Sequence, residues 1–175
     1  MMSGAGCSGA RMAAGFLRYY PSRRREAMTR TQLSRSIDAP IGVVFSTVAD
    51  ISNFSAAVPH IEDVEFLSET RTGVGARFRE TRLMGSRRAT TELEVTEYVQ
   101  DERVRFVSDA GGTVWDTTFS VEPERDGRGT RLLMVMEARP HKLLAKLTTP
   151  LMKRVIARAI AADLDAVKAY AEAAG

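Results

Sequence analysis

Cysteine occurs once in these 175 residues, as Cys7, histidine twice, as His60 and His141, and tryptophan once, as Trp115. One cysteine allows no internal disulfide, which makes a reducing compartment the default. The histidines and the cysteine form no H-E-x-x-H motif and no zinc-type spacing, so no metal site is expected. A nucleophile elbow and a phosphate-cradling P-loop are also missing, and no motif implies a cofactor. No apolar run approaches the roughly 18 residues of a membrane-spanning helix.

Basic excess is missing from most of the chain as well. The net charge is +3, but Arg11, Arg18, Arg23, Arg24 and Arg25 face only Glu26 within residues 1–27. That segment carries +4 and the remainder sums to −1, so nucleic acid is not an expected partner. Residues 1–27 are rich in Gly, Ala, Ser and Arg. Their composition fits an organellar transit peptide, an over-long reading frame opening before Met28, or a disordered tail. A cytoplasmic location is the expectation, with an organelle as the alternative if the leader is a true transit peptide. Gly4–Gly9 matches G-x-G-x-x-G in form, but no strand precedes it and no apolar helix follows directly, so it reads as chance. Asn53-Phe54-Ser55 matches a glycosylation sequon without any signal of secretion.

What is present is a change of period. Residues 31–38 alternate as a short strand that ends at Ala39-Pro40, where Pro40 suits a first helical position with Asp38 or Ala39 as cap. Ile41, Val44, Phe45 and Val48 line one face of a short helix. Asp50 caps a second, which carries Ile51 and Phe54 and ends before Pro59. From Ile61 the period becomes two, predicting strands at 61–69, 75–83, 88–99, 103–110, 112–122 and 129–138. Turn chemistry separates them at Thr72-Gly73, Gln100-Asp101, Gly111-Gly112 and Asp126-Gly127. Short turns between consecutive strands make an antiparallel meander.

The last segment is helical from about His141 to Glu172, with two apolar stripes. Leu144, Leu147, Leu151 and Val155 form one; Met152, Ile156, Ile160, Leu164, Val167 and Ala171 form the other. At ~100° per residue they lie roughly 150° apart. A single straight helix cannot bury both on one side, so a break or kink is expected at Thr149-Pro150. The expected architecture is α+β, a curved antiparallel sheet of about six to seven strands wrapped around the long C-terminal helix. Residues 28–175 form its one domain.

The run IDAP, VVF, VADISNF and VP, followed by VGARFRE, ELEVTEY, TTFSVEP, GTRLLMVMEA and a long terminal helix, resembles the START-related helix-grip superfamily. Within it the similarity is to the polyketide cyclase/dehydrase and lipid-transport (SRPBCC) group, which includes coenzyme Q-binding proteins. It covers residues 31–172. It departs from the coenzyme Q-binding pattern at Phe54-Ser55-Ala56-Ala57, where that group carries an aromatic-proline-acid-aromatic run. The resemblance implies a cavity between sheet and helix that takes a small hydrophobic ligand.

Strand parity then names the candidate lining. Trp115, Thr117 and Phe119 share one face of their strand, as do Met134 and Met136 on the last. Phe106, Leu93, Val95 and Phe78 face the same side from the strands between, and Ile156, Ile160 and Leu164 face it from the helix. A filled core is the plainer account of such residues; adaptable methionines suit an open pocket. Arg35, Glu80 and Arg82 are charges at inward parity, and Glu97 joins them unless a bulge turns it outward. Glu97, Glu80 and His60 are the candidate proton-transfer groups of an enzyme, with Arg35 as a head-group or carbonyl anchor. Lys142, Lys146, Lys153, Arg154 and Arg158 form a basic, leucine-bearing region suited to transient contact with an anionic membrane, or simply to water. Three readings follow: a non-catalytic carrier of a lipid, isoprenoid or quinone, or aromatic molecule; a cyclase/dehydratase; and a coenzyme Q-binding or protein-interaction factor.

Overall fold

The computed structural model describes residues 28–124 and 129–175, with the side chains of 149, 150, 152 and 153 left out. Expectations placed on residues 1–27, on the turn at Asp126-Gly127 and on the side chains of Met152 and Lys153 lie outside the described residues. The elements run β1 (Thr29–Ile37), α1 (Ile41–Ala49), α2 (Ile51–Ala57), β2 (Ile61–Phe66), β3 (Arg77–Met84), β4 (Arg87–Val99), β5 (Arg103–Ala110), β6 (Thr113–Pro123), β7 (Thr130–Pro140) and α3 (Leu143–Ala174). The strands form a seven-stranded antiparallel sheet in the order β1-β7-β6-β5-β4-β3-β2. The meander from β2 to β7 is built of neighbours in sequence. Only β1 pairs out of order, joining β7 from Thr29↔Ala138 to Ile37↔Thr130.

The turns follow the local chemistry. Gly111 and Gly112, at φ 63° and 77°, make the two-residue turn between Ala110 and Thr113, a shape that needs positive φ at both positions. Asp50 caps α2, its side chain accepting from the Ser52 N–H at 2.8 Å. Pro40 stands at the cap of α1, one position earlier than expected, with extended ψ of 147°. Its carbonyl accepts the Val43 and Val44 N–H groups.

The expected break at Pro150 is not there: α3 is one helix of 32 residues. The conflict between its two stripes is resolved in another way. Ile160, Leu164, Val167 and Ala171 are buried, whereas Leu144, Leu147, Leu151 and Val155 are between 53% and 83% exposed. With only one stripe buried, the helix need not be interrupted. It packs on β1, β7, α1 and α2, across the concave face of the sheet.

The core is continuous from α1 (Val44, Phe45, Val48) through Val104 and Leu132 of the sheet to Leu164 and Val167 of α3. Phe78, Phe106 and Phe119 meet in edge-to-face contacts with centroids 6.0 and 6.2 Å apart, and Phe54 of α2 joins Phe119 at 6.0 Å. Such pairs contribute about 0.5–1.5 kcal/mol each beyond area burial. They line the concave face with a row of rings.

Candidate functional site

The register brings the inward residues of five strands into rows. Thr31, Met136, Thr117 and Phe106 are successive cross-strand partners, and Val95 follows Phe106. The next row is Leu33, Met134, Phe119, Val104 and Tyr98. On β6 and β7 burial falls from one row to the next, while Phe106 and Val95 stay buried. Leu132 is 0% exposed and Met134 7%, while Met136 and Thr117 are only half-buried. The facing helix repeats the trend: Val167 is 0% exposed, Ile160 6%, and Ile156 is half-buried. Beyond this band, small side chains (Ser108, Ala138 and Ala145) are buried again. Met136, Thr117 and Ile156 thus form a partly accessible, mainly apolar band beside the packed core. Leu93 and Trp115 are half-buried as well, and the Trp115 Nε1–H donates to the Ala110 carbonyl at 3.2 Å.

Three charged groups meet at the β3 side of this space. Arg82 Nε donates to Glu80 at 2.7 Å and Arg82 Nη1 to Asp163 of α3 at 2.6 Å, with its guanidinium 5.9 Å from the centre of the Phe54 ring. Glu80 is buried and Asp163 nearly so. Burial opposes the charge of Arg82, but Glu80 and Asp163 outweigh it and hold the guanidinium more firmly protonated than usual. The cluster ties a strand near one edge of the sheet to the helix and carries two carboxylates for one cation. Among the described residues no buried side-chain polar atom lacks a hydrogen-bond partner, and no group of three or more His, Cys, Asp or Glu is placed to hold a metal ion.

Other candidates are placed elsewhere. The register shifts between Val95 and Glu97, so Tyr98 turns inward against Phe45 at 5.3 Å and Glu97 turns out to pair with Arg103 at 2.7 Å. The bulge removes Glu97 from the concave face. Arg35 has inward parity, but its Nε donates to Asp165 at 2.6 Å and Nη2 to the Ala161 carbonyl at 3.4 Å. It clamps α3 to β1 and is no free head-group anchor. His60 is exposed at the α2–β2 corner. His141 sits 2.9 Å from Asp109 at the entrance to α3. Phe78, Val95, Phe106, Phe119, Met134, Ile160 and Leu164 are inward and buried, forming floor more than open wall. The strand pattern did not single out Asp163, although an acid between Ile160 and Leu164 on a buried stripe was a usable signal.

A hollow of about 450 Å³ lies away from this space, lined by Asp38, Pro40, Ile41, Pro123, Thr130 and Gly175 among others. No aromatic side chain lines it.

A curved antiparallel sheet closed over a long C-terminal helix, with an apolar band between them, defines a START-related helix-grip protein. The chain belongs to the polyketide cyclase / dehydrase and lipid transport family, whose model matches residues 28–172. No curated protein matches it at a significant level. Among solved structures it is similar to TTHA0849 from Thermus thermophilus, with 20% identity and TM-score 0.69 over 84% of this chain and 99% of that one. It is similar to the Zhui aromatase/cyclase from Streptomyces sp. R1128, with 18% identity and TM-score 0.69 over 83% and 94%. The di-domain ARO/CYC StfQ from the steffimycin biosynthetic pathway shares 12% identity and TM-score 0.70 over 83% of this chain and 51% of its own. At these identities the likeness is one of fold.

Proposed function

We propose that the protein binds a small hydrophobic ligand, of lipid, isoprenoid or aromatic type, in the band between sheet and α3. The observation that supports this reading is that Met136 on β7 and Ile156 on α3 are less covered than Met134 and Ile160 on the same two elements. Apolar area supplies the driving force, at about 25 cal/mol per Å², and the Thr117 hydroxyl and the Arg82 cluster are the nearby polar groups that would orient a polar end. A quinone belongs to this class, and Phe54-Ser55-Ala56-Ala57 gives no reason to prefer it.

Native mass spectrometry of the full chain purified without detergent, followed by solvent extraction, is the direct experiment. A discrete added mass that Thr117→Phe abolishes, at an unchanged melting temperature, is the expected result. If Thr117→Phe instead lowers stability by about 1–3 kcal/mol, as overpacking does, and leaves any bound mass in place, the band is ordinary core and the reading fails.

The second reading is a cyclase/dehydratase. Its support is the Arg82 cluster, where two carboxylates share one guanidinium, so that one can accept a proton while Arg82 orients a carbonyl. Glu80→Gln and Asp163→Asn that both retain full turnover of an aromatic polyketide-type substrate would remove it.

A further inference from the structure

The outer face of α3 carries a feature that ligand binding inside the grip does not use. Leu144, Leu147, Leu151 and Val155 recur on one line for about 16 Å of helix and lie roughly 150° round from the buried stripe, all of them exposed. Leu143 is exposed beside them. Soluble surfaces scatter single apolar residues; a continuous line of large ones marks an interaction surface.

The charges around the stripe identify what it meets. From His141 to Ala162 the sequence holds three lysines and two arginines and no acid. Lys142, Lys146, Arg154 and Arg158 are exposed, and none forms an ion pair with another described residue. The acids that follow are engaged elsewhere: Asp163 faces inward to Arg82, Asp165 binds Arg35, and Glu172 binds Lys168. At ~100° per residue Arg154 and Arg158 flank this stripe while Lys146 lies on the far side of the helix, so the outward surface of the first half of α3 is apolar with two arginines that no acid opposes. A second copy would set these cations against one another across a symmetric contact. A nucleic acid would meet the charge and leave the leucines in water. An anionic bilayer satisfies both, taking the leucines into the acyl boundary and the cations at the headgroups.

We infer that α3 docks the protein on anionic membranes through the Leu144–Val155 stripe, lying in the plane of the interface. Among the described residues no helix is long and apolar enough to cross a membrane, so the contact is peripheral. The inference goes beyond ligand binding and its readout is independent of any ligand.

The test uses the full chain and vesicles of equal parts phosphatidylglycerol and phosphatidylcholine, compared with phosphatidylcholine alone. Partition is expected on the anionic vesicles only, and it weakens as salt rises. Leu147→Ser with Leu151→Ser lowers it about tenfold or more, and Arg154→Gln with Arg158→Gln lowers it and flattens the salt dependence. All of these sites are exposed, so the melting temperature holds. Leu147→Trp reports on the site itself: its emission shifts to the blue on vesicles and brominated lipid quenches it. Anionic-vesicle binding that the leucine variants leave intact, or an unshifted emission from Leu147→Trp, overturns the inference. A dimer in solution that the leucine variants dissolve also overturns it, in favour of a second copy.

Discussion

Arg82 is the side chain on which the charge balance inside the grip depends. Replacing it by Met leaves Glu80 and Asp163 facing each other without a cation in a largely buried setting. The cost is roughly 3 kcal/mol, read as a lower midpoint in chemical denaturation. Glu97→Gln provides the contrast: its partner Arg103 is on the outer face and both are over a third exposed, so stability changes by less than about 1 kcal/mol and ligand binding does not change. Parity alone put both glutamates on the concave face. It held for Glu80, whose strand pairs in regular register, and failed for Glu97 because one extra residue in β4 reverses every side chain beyond it. Nothing in the composition of that strand announces the bulge. Arg35 was legible as inward but not as engaged, since its partner Asp165 is 130 positions away in the chain.

At the scale of elements, the strand positions were readable because alternation and turn residues agree. Gly111-Gly112 does more than turn the chain. The Gly112 carbonyl accepts the N–H groups of His141 and Lys142, and a Cβ at Gly112 would come within 2.7 Å of the Lys142 side chain. Gly112→Ala combines that contact with a φ of 77°, so a loss of about 1–3 kcal/mol is expected, measurable as a drop in melting temperature. Gly111→Ala is strained by its φ of 63° but adds no contact within 4 Å, and should cost less. The entry into α3 is thus set by a hairpin two strands away. Continuity of α3 through Pro150 was not legible, because periodicity shows which faces are apolar and not which of them the protein covers.

For the molecule as a whole, the far half of α3 is fastened by carboxylates whose charge the fold favours. The hydrogen bond from Arg35, helped by its charge, holds Asp165 below the usual carboxylate range, and the Asp38 N–H and then Lys168 do the same for Glu172. Folded values below unfolded ones mean that the unfolded chain takes up protons first as acid is added. The stabilisation is complete above the unfolded carboxylate range, about pH 4–4.5, and is lost as pH falls through the depressed folded values. Thermal melts over that range should fall more gently for Asp165→Asn than for the parent. An identical acid limb in both would remove Asp165 from the account.

The pairing of β1 with β7 has a bearing on how the chain is made. Every other strand finds a partner that leaves the ribosome just before or after it, so β2 to β6 can zip up while synthesis continues. β1 emerges first of the seven and stays without its partner for roughly ninety residues of elongation, until Thr130–Pro140 appears. Its apolar residues Leu33 and Ile37, and the helices α1 and α2 behind it, are exposed throughout that interval. Birth order and final order are opposed in this fold: the strand translated first of the seven must wait for the last of them before its edge is paired.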